Sequence, residues 1–183
     1  MDDFVLEIGP GEGILTENLL KKARKVIAVE IDQNLADKLR KRFENNTNFE
    51  LINGDILKIN LPKLVEEQKM ETEGYKVVAN IPYYITSPII RLFLETKYPP
   101  KEMILMVQKE VAERICANAG QMSILAASVQ YYAKPELLFY VDKKAFYPIP
   151  EVDSAVIRIT HNFRDITGEE SKKFFRVLRA GFS

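Results

Sequence analysis

The sequence predicts an α/β fold in which a mainly parallel sheet is doubly wound by helices. Five short apolar runs alternate with amphipathic or polar stretches, the pattern of strands buried on both faces. Four of these runs are followed at once or within three residues by Gly9, Glu30, Asp55 and Asn80. Two further apolar runs close the chain with only a short connector between them, which suggests an antiparallel hairpin.

The first run, Phe4 to Ile8, enters the glycine turn Gly9-Pro10-Gly11-Glu12-Gly13. A helix is expected over Thr16 to Arg24, with Leu15, Leu19 and Leu20 as its apolar stripe. Val26 to Val29 forms the second strand and ends on Glu30. Leu35, Leu39 and Phe43 recur every four residues, which places them on one helix face with Lys38, Arg40, Lys41 and Arg42 mostly around it. That basic cluster reads as a solvated face, with RNA contact as the alternative. Phe49 to Ile52 is the third strand, followed by Gly54-Asp55. The polar stretch Lys63 to Gly74 divides between a surface helix and loop. Lys76 to Ala79 is the fourth strand and delivers Asn80 at its carboxyl end. Ser87-Pro88 reads as a capping side chain followed by a first-turn proline, opening a helix through Leu92 and Phe93.

Met103 to Val107 is the fifth strand. Gln108 to Asn118 follows as a helix with Val107, Val111 and Ile115 on one face, and Ser123 to Tyr132 as a buried helix. Leu137 to Val141 and Ala155 to Ile159 are the closing pair, joined through Phe146-Tyr147-Pro148-Ile149-Pro150. His161 is expected on the surface or in a loop.

Composition narrows the function classes. A chain of 183 residues with 46% apolar residues suits one domain. Its 26 basic and 26 acidic residues balance, so any nucleic-acid contact must come from a local patch. One cysteine, Cys116, excludes an internal disulfide, and with the single His161 it leaves no plausible zinc cluster. Cys116 reads as a packing residue. No metal is expected, and a reducing, cytoplasmic setting fits. No uninterrupted apolar stretch approaches the ~20 residues of a membrane span, and no leader pattern opens the chain.

Gly9, Glu30, Asp55 and Asn80 each follow a strand end, so they share the edge where sheets of this type form sites. Asn80-Ile81-Pro82-Tyr83 offers an amide, a fixed backbone and an aromatic face, a combination suited to the exocyclic amine of a nucleobase. That lone pair is delocalised into the ring and makes a poor nucleophile. The Asn80 side-chain oxygen and the Ile81 carbonyl, restricted by Pro82, would accept its two hydrogens, and Tyr83 would stack on the ring. A strand end with a proline turn is the plain structural alternative. At the first turn the glycines are spaced by two, whereas a dinucleotide site would need glycine where Ile14 stands. This spacing favours S-adenosylmethionine over a nicotinamide cofactor, with Glu30 accepting from the ribose hydroxyls, Ile31 against the adenine and Asp55 accepting from the adenine amine.

The tetrapeptide resembles the Asn-(Leu/Ile/Pro)-Pro-Tyr motif of S-adenosylmethionine-dependent amino-methyltransferases. Val5-Leu6-Glu7-Ile8-Gly9-Pro10-Gly11, Val29-Glu30-Ile31-Asp32, Val78 to Tyr83, Val107 to Arg114 and Phe146 to Val156 together resemble the ribosomal RNA adenine dimethyltransferase family. The likeness runs from about Phe4 to Ser183. It implies a class I, Rossmann-like methyltransferase fold: a seven-stranded, mostly parallel sheet with an antiparallel terminal hairpin. The implied activity is N6,N6-dimethylation of two adjacent adenosines near the 3′ end of small-subunit rRNA, in ribosome biogenesis. The implied partner is that rRNA or the immature small subunit, met by a monomer. By the same resemblance the catalytic residues are Asn80, Ile81 and Tyr83. The target base would rest on Pro82, Tyr83 and Phe146, and the cofactor on Glu7, Gly9, Gly11, Glu30, Ile31, Asp55, Ile56 and Asn80. The Lys109 to Arg114 segment would lie beside the pocket, as an RNA contact or as a plain amphipathic helix.

Family members carry a segment before the first strand that closes over the cofactor. They also continue beyond the equivalent of Gly181-Phe182-Ser183 into a small helical domain. The expectation here is a single catalytic domain, residues 1–183, without either. Asn118 to Met122 is shorter than the family's usual connector, and Tyr84 stands where the family often has Asn. The rival readings are the related large-subunit adenosine methyltransferases of macrolide resistance and a non-catalytic nucleic-acid-binding factor on the same fold.

Overall fold

The structure is a computed structural model that describes residues 3–162 and 168–182, with the backbone alone at Tyr83. Seven strands, β1 (Phe4–Ile8), β2 (Lys25–Glu30), β3 (Phe49–Asn53), β4 (Tyr75–Asn80), β5 (Glu102–Gln108), β6 (Ala133–Val141) and β7 (Ser154–His161), form one sheet in the order β3-β2-β1-β4-β5-β7-β6. The first five pair in parallel, while β7 runs antiparallel to both β5 and β6. Between them lie α1 (Ile14–Leu20), α2 (Gln33–Arg42), α3 (Leu61–Glu67), α4 (Met70–Glu73), α5 (Thr86–Leu94), α6 (Lys109–Ile115) and α7 (Ile124–Tyr132), with α8 (Gly168–Gly181) last.

Every residue of β1 is buried because helices cover the central strands on both faces, so it reads as one apolar run. The main core gathers Leu6, Ile27, Val77, Leu105 and Ile157 with Ile89, Ile90 and Phe93 of α5. A smaller cluster of Leu20, Val26, Leu39 and Phe43 fixes α1 and α2 to β2.

Several boundaries differ from the sequence reading. Helix α1 begins at Ile14 and stops at Leu20, because the Lys22 and Ala23 N–H groups both turn back onto the Leu19 carbonyl. Its inward face carries Thr16 and Leu20, while Leu15 is exposed. The polar stretch after β3 is not merely superficial: Asn60 caps α3, and Leu61, Leu64, Val65 and Met70 are all buried. Ser87 does not cap α5. A 3₁₀ turn, Tyr83–Ile85, leads into Thr86, and Pro88 sits in the first helical turn, where its missing N–H costs nothing.

Helix α6 ends at Ile115, three residues short of expectation, and α7 is capped by Ser123 and buries only Ala126 and Val129. Strand β6 starts four residues early, at Ala133. His161 ends β7 instead of lying in a loop, half-buried, with its N–H on the Lys101 carbonyl, and burial holds its pKa below the usual imidazole value. Helix α8 lies outside the elements that the sequence pattern assigns. It docks through Phe174, stacked on Tyr131 at 4.0 Å, and Phe175, which faces Tyr132. Cys116 packs against the main core, as expected. Among the described residues, no helix is long and apolar enough to cross a membrane, and no group of three His, Cys, Asp or Glu could hold a metal ion.

Gly13 closes the turn before α1 with φ of 81°, and a Cβ there would lie 2.8 Å from both Leu39 and Phe43. Gly13→Ala is therefore expected to lower stability by about 1–3 kcal/mol, read as a fall in the urea midpoint.

Candidate active site

Parallel register sets the site. Ile8 stands opposite both Val29 and Ala79, Glu30 opposite Asn53, and Asn80 opposite Met106. The residues that follow β1 to β4 therefore leave the sheet along one edge. Ser154, at the start of β7, stands opposite Gln108 at the end of β5, and this brings the connector after β6 to the same edge. Asp153 pins that connector, since its carbonyl accepts from the Lys109 N–H at 3.0 Å and its Oδ1 from the Lys143 N–H at 3.1 Å. Phe146 lies on it, half-buried, with its N–H on the Lys143 carbonyl at 3.2 Å.

The turn after β1 is held by backbone bonds, Gly9 N–H to the Val29 carbonyl and Gly13 N–H to the Pro10 carbonyl, both 2.9 Å. Gly9 and Gly11 adopt φ of 65° and 59°, and a Cβ added to either meets no atom within 4 Å. A side chain there would be strained and would project into open space, so the glycines keep a cradle clear. Glu30 is nearly buried. Its Oε2 accepts from the Gly11 N–H at 3.2 Å and its Oε1 from the Asp32 N–H at 3.0 Å. A carboxylate has about four acceptor positions, so about two remain for hydroxyl donors. Ile31 beside it is 69% exposed, an apolar surface left open next to an acceptor.

Asp55 spends part of its capacity locally. Its Oδ1 accepts from the Leu57 N–H at 3.0 Å, and Lys58 Nζ lies 3.6 Å from Oδ2. Ile56 is packed in the core. Asn80 is exposed at the end of β4, while the Ile81 side chain is buried and its N–H donates to the Met106 carbonyl at 3.2 Å. The chain is thereby anchored on both sides of the Asn80 side chain. Pro82 continues with φ of −54° into the 3₁₀ turn. The stacking expected of Tyr83 concerns a side chain outside the described residues.

Glu7 lies inside. It is 1% exposed, its Oε2 completes no hydrogen bond, and the wholly buried Thr16 Oγ1 beside it completes none either. Burial pushes the Glu7 carboxyl up to about 7, with the Thr16 hydroxyl acting in the opposite direction.

Three contributors were not assigned roles from sequence. Thr16 gave no signal, being one hydroxyl in a helix. Asn53, whose Nδ2 donates to the Glu30 carbonyl at 2.9 Å, is a polar end to an apolar strand. Asp153 lay within a recognised block. Two grooves of about 670 and 730 Å³ flank α5, but neither is lined by Gly9, Glu30, Asp55, Asn80 or Phe146.

The fold and this edge define a class I S-adenosylmethionine-dependent methyltransferase, and the open glycine cradle and the spare acceptors of Glu30 fit that cofactor. The family model described as ribosomal RNA adenine dimethylase matches residues 1–183, and the chain belongs to that family. It is 49% identical over 181 residues to the ribosomal RNA small subunit methyltransferase A of Dehalococcoides mccartyi, covering 98% of this chain and 61% of that protein. The chain thus spans about three-fifths of that relative's length. Among solved structures, it resembles a dimethyladenosine transferase from Plasmodium falciparum (TM-score 0.76, 36% identity, 88% of this chain and 56% of that one). It also resembles the 23S rRNA methyltransferase ErmE (TM-score 0.81, 32% identity, 97% and 69%).

The raised Glu7 pKa has a signed consequence for stability. The folded state holds this proton more tightly than the unfolded chain, so stability contributed below about pH 4.5 is lost as pH rises through 7. Glu7→Gln removes that loss. In urea melts without cofactor, its advantage over the unsubstituted protein should be larger at pH 8 than at pH 4 by roughly 3 kcal/mol.

Proposed function

We propose that the chain methylates the N6 amines of two adjacent adenosines near the 3′ end of small-subunit rRNA, to the dimethyl form, using S-adenosylmethionine. The observation that carries this is the placement of Asn80-Ile81-Pro82-Tyr83 after β4, on the same edge as the glycine turn and Glu30. The names of the curated small-subunit relatives support the choice of RNA.

When bound, S-adenosylmethionine supplies an electrophilic methyl group on a sulfonium. In this reading Gly9 and Gly11 present backbone to it, Glu30 accepts from its ribose hydroxyls, Ile31 covers its adenine and Asp55 accepts from the adenine amine. Glu7, Ile56 and Asn80 complete its surroundings. Asn80 Oδ1 and the Ile81 carbonyl each accept one hydrogen of the target amine, drawing the nitrogen towards tetrahedral geometry and freeing its lone pair. Pro82 fixes the Ile81 carbonyl, and Tyr83 and Phe146 sandwich the base, each stacking contact contributing ~1–3 kcal/mol. Transfer would be direct, the methyl leaving sulfur as it joins nitrogen, with a neutral thioether departing and the surplus amine proton passing to water. Orientation would therefore carry most of the rate, a contribution that reaches ~7–11 kcal/mol for well-placed reactants. The base must leave its stack to enter, which favours loops and single strands. We place this activity in a cytoplasmic monomer acting on rRNA or the immature small subunit.

Small-subunit RNA from a strain lacking its own dimethyltransferase, incubated with the chain and cofactor, should gain four methyl groups by mass spectrometry. Modification confined to large-subunit RNA would assign the chain to the activity named for ErmE instead. Asn80→Ala should cut turnover by roughly 10²–10³-fold, as loss of a transition-state hydrogen bond does. Its cofactor affinity by titration calorimetry should survive in part, and normal turnover would overturn the assignment.

A further inference from the structure

Glu7 and Thr16 are two buried polar side chains on different elements, β1 and α1, and neither Glu7 Oε2 nor Thr16 Oγ1 has a hydrogen-bond partner. They lie on either side of the glycine turn, at the end of β1 and in the first turn of α1. No cation offsets the acid. Its register partners Ala28 and Val78 are uncharged, and the polar side chains that follow on those strands are Glu30 and Asn80. On α1 the neighbouring Glu17 is exposed and bound to Lys21 and Arg42. Burial is the dominant influence on the Glu7 proton, and no neighbouring charge contributes.

A buried carboxylate whose Oε2 completes no hydrogen bond is costly, so a large part of the cofactor-free protein carries Glu7 protonated near neutrality. A net positive charge arriving above the turn reverses that balance. S-adenosylmethionine carries a sulfonium, an ammonium and a carboxylate, for a net charge of +1. Its demethylated thioether product has lost the sulfonium and is neutral overall.

We propose that the Glu7–Thr16 pair is a charge-selective element of the cofactor site, giving up a proton to water when the cationic cofactor binds and regaining one from water when the neutral thioether replaces it. This rests on the cofactor reading above. Thr16 is a positioning residue in it, because its hydroxyl completes no bond in the free protein yet lies close enough to draw the carboxyl pKa down, and so is poised to donate once Glu7 ionises. The pair therefore favours release of the spent cofactor over loss of the fresh one.

Glutamate labelled with ¹³C at Cδ allows the Glu7 carboxyl to be titrated directly in the whole chain, assigned by its absence in Glu7→Gln. The free protein should show a midpoint of about 7. Saturating S-adenosylmethionine should move it down by two pH units or more, and saturating S-adenosylhomocysteine by much less. The linked affinity for the cationic cofactor should rise about tenfold from pH 6 to pH 8. Thr16→Val should raise the free midpoint and Thr16→Ser restore it, a pattern that a packing role alone would not give.

A free midpoint near 4.5, or one that neither ligand moves at saturation, overturns the charge-selective element and leaves the cofactor reading standing. An equal shift with both ligands overturns the selectivity. A chain that binds neither ligand anywhere between pH 6 and 9 overturns the cofactor reading and the linkage with it.

Discussion

The two backbone bonds accepted by the Glu30 carboxylate tie the working edge together. Glu30 ends β2, yet its Oε2 holds the Gly11 N–H of the turn that follows β1, and its Oε1 holds Asp32 N–H at the entry to α2. One nearly buried side chain thus fixes the glycine turn relative to the neighbouring strand, and the chain's exit towards α2 relative to both. Asp32 then caps α2 by accepting from the Asn34 and Leu35 N–H groups at 2.8 and 3.0 Å. Charged acceptors make stronger hydrogen bonds than neutral ones, and neither backbone donor belongs to a regular ladder. Without this carboxylate the turn that carries Gly9 and Gly11 would keep the backbone bonds of Gly9 and Gly13 and lose the one at Gly11.

The second half of the site is held differently. Asn80 is exposed, and its position is set by the buried Ile81 side chain and the Ile81 N–H bond to β5. The connector carrying Phe146 is held by Asp153, which bonds the first residue of α6 and the residue after Asp142. Each polar group that faces outward is therefore flanked by backbone that the core or the sheet controls. That arrangement suits chemistry by orientation, in which a misplacement of about 1 Å can cost roughly 10²-fold.

The strands were legible because central parallel strands are buried on both faces, and Phe4 to Ile8 or Val26 to Val29 can be little else. The edge followed from them, since strand ends in such a sheet lie together whatever the strand order. Helices were less legible where composition concealed burial. Leu61, Leu64, Val65 and Met70 sit in a stretch dominated by Glu and Lys, yet a few apolar side chains at the right spacing were enough to bury one face. Leu15 failed as a stripe residue for the opposite reason. Gly13, left-handed and tight against Leu39 and Phe43, sets the phase of α1 and turns Thr16 inward instead. Helix α8 buries no residue fully, and its docking depends on the aromatic pair at Tyr131 and Tyr132, which its own sequence does not disclose. Within the site, Glu30 and Asn80 announced themselves by position, whereas Thr16 became visible only once its burial was known.

Charge pairing at Lys38, Arg40 and Arg42 favours the solvated-face reading of the α2 cluster. Arg40 is bound to Asp37 at 2.7 Å, Arg42 to Glu17 at 2.8 Å and to the Glu12 carbonyl, and Lys38 lies 3.8 Å from Glu12. These exposed pairs contribute little to stability. They do, however, place an acid against three of the four basic residues that a phosphate backbone would otherwise meet. Arg42 also ties α2 to the glycine turn and α1, so its guanidinium serves the geometry of the cradle. Part of the basic run thus braces the cofactor edge, and Arg40 and Lys41 lie exposed on α2. The 26 basic and 26 acidic residues balance, so any attraction of this chain to a polyanion has to come from a local patch. In the proposed reading, the edge meets its base at contact distance, through shape and the fit of an unstacked ring.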